Sequence, residues 1–288
     1  MDSVVLLIAA PGSGAITADV ITLMRDHGAG APHWLAQDEA AEFEAFPRFA
    51  EVMVDLRKLP IDTANISIHN RRKRLLLADM DSTMIHQECI DELGVVAGVG
   101  DRIKAITSRA MRGELDFEAA LKERVKLLKG LNTAVIKQLL RERITYMEGG
   151  KTLLATMKAN GAYAALVSGG FTAFTGPVAA QLGFDENRAN NLLATNGILN
   201  GEVAMPILGQ EAKRQALFEI STRLGLTPAD ALCVGDGAND LAMLSEAGLG
   251  VALHAKPHVQ ESSLIRINHT DLTTLLYLQG YNKQQFVL

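Results

Sequence analysis

Four side chains carry most of the chemical information in this chain of 288 residues. Asp79, Asp81 and Thr83 stand in the segment LLLADMDSTMI, and Asp236 stands far downstream in ALCVGDGANDLAML. An apolar run, Leu75 to Ala78, ends in two carboxylates two positions apart. A second run, Ala231 to Val234, ends in Gly235-Asp236-Gly237. Short apolar runs of this kind read as strands buried on both faces, and in a parallel sheet ligands bind beyond the carboxyl ends of the strands. Acids from two such ends can converge on one hard cation. Mg²⁺ takes one or two carboxylates while keeping waters and a substrate phosphate.

Asp79 and Asp81 do not ionise together comfortably without a cation nearby. A metal at Asp79 would leave Asp81 protonated and able to donate to a leaving oxygen. An aspartate nucleophile beside an aspartic acid/base suits phosphoryl transfer, although the same string also reads as paired surface acids at a helix N-cap. Ser168-Gly169-Gly170 follows the apolar run Ala162–Val167. It offers a hydroxyl and free N–H groups at a helix start, either a phosphate cradle or a plain turn. Lys213 falls in the first turn of an expected helix, where the helix dipole disfavours a cation. It is a surface lysine, or it has an anion beside it such as Asp79 and a phosphate. In Gly235–Asp240 the glycines are expected to permit positive φ, with Asp236 as metal ligand. Asp240, one turn on, would reach the metal's waters or orient Lys213, and Asn239 offers substrate a donor and an acceptor.

These residues need a frame. From Arg74 the pattern is α/β, with strands at Leu75–Ala78, Ala162–Val167, Ala231–Val234, Gly250–Leu253 and Ile265–Asn268. Helices are expected over Lys151–Ala159, Glu211–Leu224 and Asp240–Ala247. The expected fold class is therefore α/β, a doubly wound parallel sheet. Asn196-Gly197 marks a hairpin, expected as an edge appendage. Between about 88 and 147 the pattern is helical only, over Cys89–Val96, Asp101–Met111, Asp116–Leu128 and Thr133–Arg143. A helical insert after the first strand would cap the site, with Gly94, Gly98 and Gly100 as hinges. Phe117, Leu121, Val125 and Leu128 form the buried stripe of its third helix, and Arg124 projects almost over Phe117. Such an arginine either snorkels at a rim or clamps a carboxylate.

Residues 1–72 suggest a separate small α+β domain before a core of 73–288. Strands are expected at Val4–Ala9, His33–Gln37, Val52–Leu56 and Ala64–His69, and a helix at Ala18–Asp26, with residues 38–44 weakly patterned. The net charge of −5 gives no bulk attraction to nucleic acid or anionic membrane. The run Arg71–Arg74 reads as a solvated linker or, alternatively, a phosphate or nucleic-acid patch. Two cysteines make no disulfide framework, and Cys233 reads as core. Without a basic-flanked leader or an apolar stretch of about 18 residues, the expectation is a reduced, cytoplasmic protein with no membrane contact. His86 is read as non-catalytic.

Taken together, the motifs Asp79–Thr83, Ser168, Lys213 and Gly235–Asp240 resemble the haloacid dehalogenase superfamily in its phosphatase branch. The resemblance covers about residues 74 to 270 and extends to Glu88, to LDFEAALKERVKLLKGL at 115–131 and to SGGF at 168–171. It implies hydrolysis of a small-molecule substrate, O-phosphoserine, with transfer to homoserine as the alternative. It implies Mg²⁺ held by Asp79, the main-chain carbonyl of Asp81, and Asp236. Asp79 would form an aspartyl phosphate and Asp81 would act as acid and base. Lys213, Ser168 and the Gly169 N–H would neutralise the phosphoryl oxygens. Glu88 and Arg124 would grip the amino and carboxylate groups of serine, with Met111 and Phe117 walling the pocket. The N-terminal part faintly resembles an ACT-type domain, short and diverged, for which a dimerisation or packing role is expected; a homodimer is left open.

Overall fold

The computed structural model describes residues 2–111 and 114–288, the side chain of Met111 excepted. The N-terminal part runs β1 (Ser3–Ala9), the helix Ala18–Asp26, β2 (His33–Ala36), β3 (Ala40–Glu44), the helix Phe49–Leu56 and β4 (Ile61–Ser67). Its sheet is antiparallel in the order β2-β3-β1-β4, the split βαββαβ arrangement.

One expectation fails here. Val52–Leu56 is not a strand but the second half of a helix, with Val52 and Leu56 buried four residues apart on one face. Its β-branched residues mimic a strand, and tertiary burial overrides that preference. In the weakly patterned stretch 38–44, Asp38 turns at φ 57 into β3, which pairs with β1.

The second sheet is parallel and built from β5 (Leu75–Ala78), β6 (Tyr163–Phe171), β7 (Glu186–Asn190), β10 (Ala231–Gly235), β11 (Leu249–Leu253) and β12 (Ile265–Ile267). The spatial order β7-β6-β5-β10-β11-β12 places the first-entered strand beside the fourth. Strand order therefore reverses between β5 and β10, where a crevice opens at the carboxyl ends. Alternate residues of β5 serve two cores. Leu76 and Ala78 join Leu153, Met157 and Phe174 on one side, whereas Leu75 and Leu77 join Leu217, Ile220 and Cys233 on the other. Helices thus cover both faces, and the doubly wound expectation holds. Several elements went unanticipated, among them the short helices Pro257–Ser262 and Thr274–Leu278. The helix Thr172–Leu182 carries Pro177 inside it, and β7 (ENRAN) is a polar edge strand that lacks the apolar signal of a central one.

The insert contributes the helices Cys89–Val96, Gly100–Met111, Phe117–Lys126 and Ala134–Glu142. Its two crossings from the core run side by side: His86 N–H donates to the Thr145 carbonyl, and Met147 N–H to that of Met84. Asp116 caps the third helix by accepting from Ala119 N–H at 2.7 Å, typically worth ~1 kcal/mol. Gly94 is a packing position: a β-carbon there would meet Ile103 at 2.6 Å.

The hairpin β8 (Leu192–Thr195) and β9 (Ile198–Val203) turns at Asn196 and Gly197, both at positive φ, as a two-residue primed turn requires. It backs the insert: Gly130 N–H donates to Leu199 O, Leu199 N–H to Leu131 O, and Thr133 N–H to Gly197 O.

Arg71–Arg74 is only partly a solvated linker. Arg71 bonds Glu42 and the carbonyls of Tyr277 and Leu278, and Lys73 is buried. Asp62, also buried, accepts from Asn268 N–H, His269 N–H and the Thr270 hydroxyl, fastening β4 to the chain after β12.

Candidate active site

Asp79 is the first residue after β5, and its N–H donates to the Val234 carbonyl of the neighbouring strand. That bond sets its position next to Asp236, the first residue after β10. The Asp79 carboxylate accepts from Met80 N–H at 2.7 Å and pairs with the Lys213 ammonium at 2.8 Å. Lys213 lies in the first turn of the helix Gln210–Arg223, fully enclosed, and also reaches Asp240 at 2.7 Å. Burial opposes its charge, but Asp240 and Asp79 outweigh burial and hold the ammonium above its usual value. This is the anion that a lysine at a helix start requires. Asp240 is committed twice, to Lys213 and to Gly237 N–H at 3.0 Å.

The glycines around Asp236 do not act by positive φ, contrary to expectation. They act by absence of bulk: a β-carbon on Gly235 would lie 2.3 Å from the Asp240 carboxyl carbon, and one on Gly237 2.3 Å from Asn239 Oδ1.

One oxygen each of Asp79, Asp236 and Asp240 lie within 4.8 Å of one another. Both oxygens of Asp240 already have donors, so Asp79 and Asp236 are the better cation ligands. Asp236 is buried with long contacts only, Thr83 Oγ1 at 3.4 Å and Lys256 Nζ at 3.7 Å. Burial, then the charge of Asp79, pushes its carboxyl up to about 7. Such an under-partnered buried carboxylate fits Mg²⁺, which prefers oxygen donors.

Asp81 accepts from Cys89 N–H at 3.3 Å. Burial and the neighbouring Glu88 raise its carboxyl well above the usual range, which favours the protonated form. Ser168-Gly169-Gly170 belongs to the end of β6 rather than a helix start; the next helix begins at Thr172. The Ser168 hydroxyl accepts from Gly170 N–H at 2.9 Å. Phe117 lies over Gly169, where a β-carbon would meet its ring at 3.0 Å.

A cavity of about 320 Å³ joins these groups, lined by Asp79, Asp81, Glu88, Phe117, Arg124, Ser168, Gly169, Asp236, Asn239 and Lys256 among others. Glu88 receives the Ser82 hydroxyl at 3.0 Å. Arg124 enters from the insert, bonded to the Ala120 carbonyl and the Thr107 hydroxyl. Burial lowers its affinity for the proton, against the opposing pull of Glu88. Two of its five N–H donors are engaged there. The Met111 side chain lies outside the described residues. His86 is exposed at the crossing, 3.2 Å from Glu148. A second cavity of about 330 Å³, between β4 and β12 near Lys73 and Leu264, contains none of these acids.

Sequence reasoning missed Asn190. Buried at the end of β7, it donates to the carbonyls of Gly169 and Leu208 and accepts from Leu208 N–H at 2.7 Å. It ties the Ser168 strand end to the loop leading to Lys213. No local pattern marks it. Lys256 was also missed, although its place just after β11 could have drawn attention.

A six-stranded parallel sheet with paired acids at its reversal point, under a helical insert, defines an α/β enzyme with a carboxylate-rich catalytic crevice. The model of the haloacid dehalogenase-like hydrolase family matches residues 76–245. A phosphoserine phosphatase of Polaromonas sp. is 43% identical over 210 residues, 71% of this chain and 89% of that protein. One from Archaeoglobus fulgidus is 42% identical over 238 residues, 80% of this chain and 69% of that protein. The crystal structure of a probable phosphoserine phosphatase from Vibrio cholerae superposes with a TM-score of 0.82 at 31% identity. It covers 99% of this chain and 88% of its own. The chain belongs to the haloacid dehalogenase-like hydrolases.

Proposed function

We propose that the chain hydrolyses O-phospho-L-serine to L-serine and phosphate through an aspartyl-phosphate intermediate, as the last step of L-serine biosynthesis. It is a phosphoric monoester hydrolase, and the relatives named above support phosphoserine as substrate. Transfer to homoserine is not favoured. The observation that carries the reading is one cavity with Arg124 and Glu88 on the insert side and Asp79 and Asp81 below them. A zwitterionic phosphoester presents a carboxylate, an ammonium and a phosphate to those groups in turn.

Mg²⁺ would be held by the Asp79 and Asp236 carboxylates with the Asp81 carbonyl, and when bound it supplies Lewis-acid stabilisation of phosphoryl oxygens. The protein's own groups do the rest. Asp79 attacks phosphorus and forms the acyl phosphate while the bond to the serine oxygen breaks. Asp81 gives its proton to that oxygen and later takes one from the attacking water, whose oxygen leaves with the phosphate. Lys213, Ser168 and the Gly169 N–H offset charge on the equatorial oxygens, and Asp240 holds Lys213 in place. Asn239 meets the substrate beside Gly169, and Phe117 excludes water above it, a role also proposed for Met111. The fastening of Asp62 and Arg71 supports a packing role for the N-terminal part; we further propose a cytoplasmic homodimer, its oligomeric state tested by light scattering.

The test is phosphate release by purified protein with Mg²⁺ from phosphoserine and from phosphoethanolamine, which lacks the carboxylate. Arg124→Ala should depress turnover of phosphoserine about 10²-fold or more and that of phosphoethanolamine far less. Equal losses would remove the carboxylate clamp.

A further inference from the structure

Three buried carboxylates, Asp79, Asp236 and Asp240, face one buried ammonium, Lys213. Lys213 spends its charge on Asp79 and Asp240. The cation within reach of Asp236 is Lys256, whose Nζ stands 3.7 Å from Asp236 Oδ2. The same residue holds the other end of Asp236, because Lys256 N–H donates to the Asp236 carbonyl at 3.2 Å. That bond pins the Lys256 backbone while its side chain, 41% exposed, stays free to swing. The ammonium lines the same cavity as Ser168 and Gly169.

We propose that Lys256 is an exchangeable counter-ion: its ammonium rests on Asp236 when no metal is bound, yields that carboxylate to Mg²⁺, and then turns to the phosphate dianion in the cavity. The proposal rests on the assignment of Asp236 as a metal ligand. Its physical basis is that an ammonium and a divalent cation cannot both neutralise one carboxylate, and a displaced ammonium in a partly enclosed cavity seeks the nearest anion. Lys256 is thus a positioning residue that lies against Asp236 in the metal-free site and competes with the metal for that carboxylate. Two effects of opposite sign follow. Loss of the ammonium should tighten Mg²⁺ and loosen phosphate.

The experiment titrates Mg²⁺ by calorimetry into the wild-type chain, Lys256→Met and Lys256→Arg, each without substrate. Inorganic phosphate is then titrated into each protein at saturating Mg²⁺. Lys256→Met should bind Mg²⁺ about two- to fivefold more tightly and phosphate about two- to fivefold more weakly, the scale of a half-exposed ion pair. Lys256→Arg, which keeps the charge, should stay within about twofold of wild type on both. A Lys256→Met protein that binds both ligands more weakly, or both unchanged, overturns the exchange while leaving the metal assignment standing. A wild-type chain that takes up no Mg²⁺ overturns that assignment and the exchange with it.

Discussion

Gly170 and Asp81 occupy adjoining space with no room for a side chain between them. A β-carbon on Gly170 would stand 2.9 Å from Asp81 Oδ2 and 3.1 Å from Ser168 Oγ. Gly170→Ala should therefore displace the Asp81 carboxylate by a few tenths of an ångström while leaving the fold intact. Turnover should fall about 10- to 100-fold, with a stability loss of no more than about 2 kcal/mol. Phosphate-release kinetics beside a urea melt separate the two. A Gly170→Ala enzyme at full speed would mean that Asp81 does not act from this position.

Asp79→Asn removes the proposed nucleophile and should leave less than about 10⁻⁴ of parental turnover. It also removes a charge that raises the carboxyls of Asp236 and Asp240. The metal-free variant should accordingly be no less stable than its parent in urea, and both carboxyls should shift down. Substantial surviving turnover would take the nucleophile's role away from Asp79.

The raised carboxyl of Asp236 gives Mg²⁺ binding a pH dependence with a definite sign. Below about 7 the group carries a proton in the metal-free protein, and a ligating carboxylate must shed it. Apparent Mg²⁺ affinity should fall as pH drops through that value, by up to about tenfold per unit, and level off above it. Calorimetry between pH 5.5 and 8.5, in buffers of differing ionisation enthalpy, reads both the affinity and the released proton (the pH limits being roughly a unit and a half either side). A flat profile with no proton release would remove Asp236 from the ligand set.

Asn190→Ala should cost about 1–3 kcal/mol, because it strands the partly buried Leu208 N–H and two carbonyls at once. Since these bonds join the Ser168 strand end to the approach to Lys213, kcat should fall along with the denaturation midpoint. Rescue of stability by added osmolyte without recovery of kcat would locate the defect in the geometry of the crevice.

How much could be read from the residues themselves varied with the length scale of the cause. Leu75–Ala78 and Ala231–Val234 declare themselves as central strands because burial on both faces demands unbroken apolar sequence. The acids after them follow from that placement. Arg124 was visible because a guanidinium breaks an apolar stripe. By contrast, Val52–Leu56 carries strand-like residues that only packing against β1 and its neighbours makes helical. The polar run of β7 is readable as a strand only once β6 is beside it. Asn190 acts on a partner distant in the chain, Gly169, and nothing local marks it, whereas Lys256, which acts on Asp236, is marked only by its place after β11. The glycines of 235–237 were noticed, but the reason for them was wrong: steric clearance for Asp240 and Asn239 becomes apparent only in three dimensions.

The hairpin β8–β9 adds a consequence for traffic through the crevice. Besides its two antiparallel chain crossings, the insert is pinned at residues 130–133 by main-chain bonds to Gly197 and Leu199. A roof nailed along one eave cannot lift evenly; it tilts about that eave. Lifting Phe117 off Gly169 must then pivot on these fixed points, so the insert opens the crevice by tilting rather than by rising as a flat lid.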